Sequence, residues 1–463
     1  MGFLEKVYEN SPIFFQNIMV SASGYQRNKS RYGKAYYEYR NFLRDFDTWS
    51  FDKKLEYQNK ILIDFIHYAT DKSLFYKHLY AGIDLSAIKT TQDLKCLPIV
   101  DKEMLRNNIE DVLTIPKKGA LINKTGGTTG KSLTVYNTVV DTMKRNAMLD
   151  HFKSRMGFEH RKMKRATFNS QYIVPPKQAK KIFWRYNSAC KQMIYSPYRL
   201  TEENLIYYVN SLNKFKPQAI DGFLMPIYDI AGFIDRNSLK LDFTPMAIFP
   251  TSETLTLPIK KLIERAFNCK VYNQYASAEG APFITECKNQ FLHIEMASGV
   301  FEPFEEGSNE ILVTSFTTHG TPLIRYRIGD EIEFTNKNTC NCGNVSIIVN
   351  EIQGRESDFL YTSSGAKIRS VTIANMTKNI PNAVRRIQVQ QDKIGEIIVL
   401  LEVDSAKYKK EYDDVLRNDF MHRFGAETSV VFKHIDEIPR EPNGKYRLVK
   451  NNIYCGVSFE DVF

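Results

Sequence analysis

Apolar residues recur near helical spacing through the first part of the chain. The clearest run is KKLEYQNKILIDFIHYATDKSLFYKHL, residues 53–79, and residues 1–115 as a whole read as mostly helical. From about 120 to 335 short β-rich runs alternate with helical stretches. RATFNS (165–170), QAIDGF (218–223), PMAIFPTSE (245–253), CKVYNQYASAE (269–279) and NEILVTSF (309–316) are candidate strands ending in small or polar residues. Such alternation predicts an α/β sheet with ligands at the carboxyl ends of its strands. Around Gly354 the pattern changes again. RRIQVQQ and GEIIVLLEV read as two strands joined at DKIG, then KYKKEYDDVLRNDFMHRFG as a charged helix stopped by Gly425, then TSVVFKHI as a third strand. The predicted fold is a large α/β N-terminal domain on mixed β-sheets with helices, residues 1–354, and a small α+β C-terminal domain, 355–463.

Composition narrows the class. With 463 residues, 43% of them apolar, the chain has material for a large core, which excludes a disordered protein. No run reaches the ~18 apolar residues of a membrane helix. The start, MGFLEKVYENSPIFFQ, has early acidic residues and no long apolar stretch, so it does not read as a secretory signal. Lys6 stands where a myristoylation motif wants Ser or Thr. A cytoplasmic protein is expected, and its seven scattered cysteines read as reduced thiols. The formal charge of +10 suits anionic ligands and a peripheral contact with an anionic membrane surface. The most basic run, HFKSRMGFEHRKMKRA (151–166), reads as a solvated face. No recognition motif accompanies it, so nucleic acid is not an expected partner.

TGGTTGKS, residues 125–132, comes within one residue of a P-loop, but Thr125 stands where the first glycine belongs. Its glycines let a backbone approach an anion, its threonines donate to phosphate oxygens, and Lys131 adds charge. A glycine-rich turn between strands is the plainer alternative. Further on, YNQYASAEG offers an exposed Tyr275 able to stack on a purine and Glu279 able to hold Mg²⁺. PLIRYRIGDEIEF places Asp330 after a tight glycine turn, IQGRESDFL places Arg355 at the domain junction, and IPREPNGKYRLVK carries Lys445 in a Pro/Gly-rich loop. Each alone reads as a charged loop. Cys287, His293, Cys340 and Cys342 supply three thiols and an imidazole, a set that fits closed tetrahedral Zn²⁺ as well as loose reduced cysteines with a surface histidine.

Order and spacing add more. TGGTTGK, YASAE, YRIGD, GRESD and PREPNGKYR resemble, in sequence, the five motifs of the adenylate-forming superfamily of acyl-CoA synthetases, luciferases and adenylation domains. The run Glu286-Cys287, FLHIE, PLIRYRIGD, CNCG and GRESD resembles the phenylacetate–CoA ligase branch, which includes relatives linked to capsular polysaccharide synthesis. The resemblance spans residues of about 95 to 450.

It implies an ATP-dependent ligase that joins a small carboxylate to AMP and passes the acyl group to coenzyme A, or alternatively to an amine or hydroxyl. Thr125, Gly127, Thr128, Thr129 and Lys131 would cradle phosphates. Ser252, Glu253 and Thr254 in PTSETL would contact adenine and Tyr275 would pack on it. Glu279 would ligate Mg²⁺, Asp330 and Arg355 would hold the ribose, and Lys445 would neutralise charge during carboxylate attack. Rotation of a mobile C-terminal domain would centre on Ser357 and Asp358, where serine replaces the family's hinge aspartate. The branch also implies structural Zn²⁺ on the four Cys/His residues and a homodimer. A nucleotide-binding homologue that has lost catalysis is the competing expectation.

Overall fold

The protein is described from a computed structural model. It covers residues 3–124, 133–175, 178–335, 340–355, 359–363, 367–369, 373, 383–440 and 446–453.

The N-terminal segment is helical, as its periodicity predicts, with helices at Phe3–Asn10, Ile13–Arg31, Lys34–Asp47, Phe51–Lys72 and Leu74–Leu79. Helix Phe51–Lys72 starts at Ser50, whose hydroxyl accepts from Lys53 N. Its inward stripe, Lys54, Gln58, Leu62, Phe65, Ile66 and Ala69, follows the helical period. Ser73 ends this helix through its N–H to Ala69 O and caps the next by accepting from Tyr76 N. Leu62, Phe65 and Ile66 are nearly dry, a burial worth about 1.5–3 kcal/mol each. Their core is shared with the inner face of a seven-stranded antiparallel sheet in the order Gly299–Pro303, Glu310–Ser315, Leu323–Phe334, Ile348–Arg355, Leu292–Ile294, Ile284–Glu286, Gln274–Tyr275.

A second sheet has five strands, Trp184–Asn187, Gln192–Tyr195, Arg165–Phe168, Ala219–Phe223 and Ala247–Thr251, with helices Glu202–Phe215, Leu224–Arg236 and Leu257–Phe267 packed on it. All its pairings are parallel except that of Trp184–Asn187. Helix Ile13–Arg31 lies along that outer strand, where Asn17 Oδ1 accepts from Tyr186 N at 2.9 Å and Ser21 Oγ from Ser188 N at 3.0 Å. The opposite end meets the seven-stranded sheet: Ile248 bridges to Val271, and Gln274 Nε2 donates to Pro250 O. The C-terminal region builds a third core on a four-stranded mixed sheet, Ser429–His434, Glu396–Val403, Val384–Lys393, Val449–Asn451, with helix Glu411–Phe424 ending at Gly425 (φ 106°).

Three sequence expectations are corrected. Tyr275 is buried, because its ring packs among Phe301 and the rest of the first core. Gly329 (φ 76°) makes no turn: it sits inside strand Leu323–Phe334, where Glu310 pairs with Glu331 but Leu312 with Arg327, so the glycine belongs to a bulge. The basic run 151–166 is a solvated face only in part: Arg161, Lys162 and Lys164 are exposed, but Lys153, Arg155 and Arg165 turn inward. Lys153 Nζ and Arg165 Nη1 meet Asp221 at 2.6 and 2.9 Å, and Arg155 pairs with Asp47 and Glu295. Burial forces these cations to find carboxylates. Among the described residues, no helix is long and apolar enough to cross a membrane.

Candidate active site

Among the described candidate residues, Tyr275 and Asp330 meet, and strand Ala247–Thr251, which leads into the 252–254 turn, lies beside Gln274, the residue before Tyr275. The chain leaves that strand through Ser252 at φ 74°, a left-handed conformation uncommon for a residue with a side chain. This bend turns Glu253 back toward helix Leu224–Arg236, where its Oε2 accepts from Met225 N at 2.9 Å. Its Oε1 accepts from Tyr446 N, in the C-terminal region, at 3.2 Å. The carboxylate thus joins parts of the chain far apart in sequence.

Tyr275 and Asp330 come from opposite halves of the seven-stranded sheet. The tyrosine hydroxyl donates to Asp330 Oδ2 at 2.6 Å. The bulge at Gly329 sets Asp330 in register with Arg355 on the neighbouring strand. Glu279 is 3% exposed. The backbone just after it is held firmly: Arg145 Nη1 donates to Gly280 O at 2.7 Å and Ala281 O at 2.9 Å, and Ser315 Oγ donates to Gly280 O at 2.6 Å. Burial pulls Arg145 down to about 10, so it stays charged at neutral pH.

Strands Leu121–Lys124 and Thr134–Asn137 form an antiparallel pair whose last partners are Lys124 and Thr134. Thr125, Gly127, Thr128, Thr129 and Lys131 follow in the connection and lie outside the described residues, as do Ser357, Asp358 and Lys445. The hairpin base is tied down by residues that sequence reasoning missed. Tyr136 N donates to Thr321 Oγ1, Thr138 Oγ1 donates to Asp141 Oδ2, and that carboxylate takes both His319 N and His319 Nδ1 within 3.0 Å. Thr138 three residues before Asp141 was the available signal, a helix N-cap.

The four Cys/His residues converge. Cys287 Sγ lies 3.6 Å from Cys340 Sγ, Cys342 Sγ lies 3.6 Å from His293 Nε2, and all four ligand atoms fall within 4.8 Å of one another. Zinc bonds of about 2.0–2.3 Å in a tetrahedron put neighbouring ligand atoms roughly 3.4–3.8 Å apart. Ser346 Oγ holds His293 Nδ1 at 2.9 Å, which leaves Nε2 to face the thiols. Beneath them the buried Lys54 donates to Asn344 Oδ1 at 2.6 Å and Val345 O at 2.9 Å. It fastens the cysteine loop to the helical layer.

Residues 360–452 match the family described as the CapK C-terminal domain. The Protein CapK of Staphylococcus aureus is 40% identical over 453 residues, 97% of this chain and 100% of the relative. Among solved structures, 2-hydroxyisobutyryl-CoA ligase in its postadenylation state with R3-HIB-AMP superposes with a TM-score of 0.69 at 16% identity, over 88% of this chain and 91% of that one. The same ligase in its thioesterification state, with 2-HIB-AMP and CoA, gives 0.53 at 17% identity over the same shares. The chain belongs to the CapK family and has the fold of the adenylate-forming ligases.

Proposed function

We propose that the chain is an ATP- and Mg²⁺-dependent ligase that converts a carboxylate to its acyl-adenylate and passes the acyl group to coenzyme A, in surface-polysaccharide biosynthesis. The observation that carries this reading is the Tyr275–Asp330 hydrogen bond. It unites two residues 55 positions apart that the resemblance assigns to the adenine and the ribose of one nucleotide.

In the first step a carboxylate oxygen attacks the α-phosphorus of ATP, the bond to the pyrophosphate oxygen breaks, and acyl-AMP forms. Such chemistry needs positioning and charge stabilisation rather than a nucleophilic side chain. The Tyr275 hydroxyl orients Asp330, whose carboxylate would accept from the ribose hydroxyls. Arg355 supports the ribose, and Thr125, Gly127, Thr128, Thr129 and Lys131 cradle the phosphates. Glu279 would hold Mg²⁺, which supplies positive charge to those phosphates. Lys445 neutralises charge on the attacking carboxylate. In the second step the thiolate of coenzyme A attacks the acyl carbon and AMP leaves, after residues 355–463 turn about Ser357 and Asp358. The Cys287, His293, Cys340, Cys342 cluster takes structural Zn²⁺.

The test is a panel of carboxylates in ATP–pyrophosphate exchange, followed by product analysis with coenzyme A, amines or sugars as acceptors. One or more acids should support exchange, and Lys445→Ala should abolish it while ATP still binds. Silence across aryl, short acyl, fatty and amino acids, or full activity in the variant, sinks the reading.

A further inference from the structure

The face between the C-terminal region and helix Leu224–Arg236 is stitched by charges. Asp229, on that helix, accepts a fork from Arg386, with Nε to Oδ1 at 2.9 Å and Nη2 to Oδ2 at 2.6 Å. It also accepts from Arg440 Nη2 at 2.8 Å. These three side chains are only 4%, 8% and 9% exposed. Burial alone would push the Asp229 carboxyl up, but the two guanidiniums more than reverse this and hold it below its ordinary range. Around the ions lies a small apolar cluster of Met225, Leu400, Ile438 and Tyr446.

The charges are distributed unevenly. Arg386 has a second partner on its own sheet, Glu402, at 3.2 Å. From the N-terminal part, Asp229 meets both Arg386 and Arg440, while Glu202 reaches Arg385 across the same face at 3.8 Å. Five positions before Asp229, helix Leu224–Arg236 begins directly after strand Ala219–Phe223, and Glu253 holds Met225 N in the first turn. Asp229 and the 252–254 turn are thereby tied into one body through this helix. Arg440 and Tyr446, both gripped by that body through Asp229 and Glu253, fix the C-terminal sheet relative to it.

A buried ion network adds little net stability, because each ion regains hydration on separation, but it strongly favours one geometry. The forked Arg386–Asp229 contact tolerates little rotation. Such a contact is directional and still releasable.

We propose that Asp229 is a positioning residue for the adenylate-forming half-reaction: by holding Arg386 and Arg440 it fixes the C-terminal region in the orientation described here, and it lets go for acyl transfer. This rests on the proposed function, and its test separates the two. Asp229→Asn keeps the size and removes the charge; Arg440→Gln removes one arm and leaves the Asp229–Arg386 fork. Each variant is compared with wild type for pyrophosphate exchange, for transfer from preformed acyl-adenylate, and by small-angle scattering. Exchange kcat should fall about tenfold with KM for ATP within about threefold and transfer within about twofold of wild type. The radius of gyration should rise. Equal losses in both half-reactions, or unchanged scattering in the folded variants, overturns the proposal. If wild type shows no exchange with any acid, the ligase reading fails and the scattering alone decides the positioning role. If Asp229→Asn does not fold, Arg440→Gln decides it in the same assays.

Discussion

Asp47 shows how single residues carry charge into this protein's interior. It accepts from His151 Nε2 at 2.8 Å and from Arg155 Nε and Nη2 at 2.9 and 2.6 Å. Burial pushes its carboxyl up, and these donors more than reverse that, holding it well below the carboxylate range. With the folded value depressed, the stabilising contribution is complete above the unfolded pKa of about 3.9 and fades as pH falls below it. Asp47→Asn should therefore lower stability by about 2 kcal/mol at pH 7, and the gap to wild type should close below about pH 4. Denaturant unfolding at both pH values checks this; a gap that persists in acid would mean that packing, not charge, is at stake. None of these partners was legible in the sequence. A basic run looks the same whether it meets water or distant acids, and Asp47, Asp221 and Glu295 stand far from it along the chain. Tyr275 and Asp330 could be paired as candidates only through the order of their motifs, since nothing local says that one hydroxyl reaches the other carboxylate.

At the scale of elements the sequence was more readable, because periodicity and capping are local. The helices of the first 115 residues and the strands at RATFNS, QAIDGF, PMAIFPTSE and NEILVTSF all form. Glycine was the ambiguous sign. Gly329 looks like a turn and makes a bulge, since the choice depends on a neighbouring strand's register. Gly222, inside strand Ala219–Phe223, carries a stricter demand. Its φ is 122°, and a Cβ there would stand 1.9 Å from Phe168 O on the adjacent strand. Gly222→Ala should thus cost roughly 3 kcal/mol or more, by strain and strand displacement together. A thermal midpoint within experimental error of wild type would show that the two strands can part without penalty.

At the scale of the molecule, the Cys/His cluster and Lys54 join the helical layer to the seven-stranded sheet. Purified protein should carry about one zinc per chain, and a strong chelator or Cys340→Ser should lower Tm by at least ~5 °C. Metal-free protein with an unchanged Tm would leave the cluster as four reduced side chains. The outer strand Trp184–Asn187 has a different bearing on the whole. Sheets with an open flank can recruit strands from other molecules and grow without limit. Here Asn17 and Ser21 occupy the outward N–H groups of Tyr186 and Ser188. The side chains of helix Ile13–Arg31 thereby take hydrogen-bonding positions that a neighbour's backbone would need in order to extend the sheet.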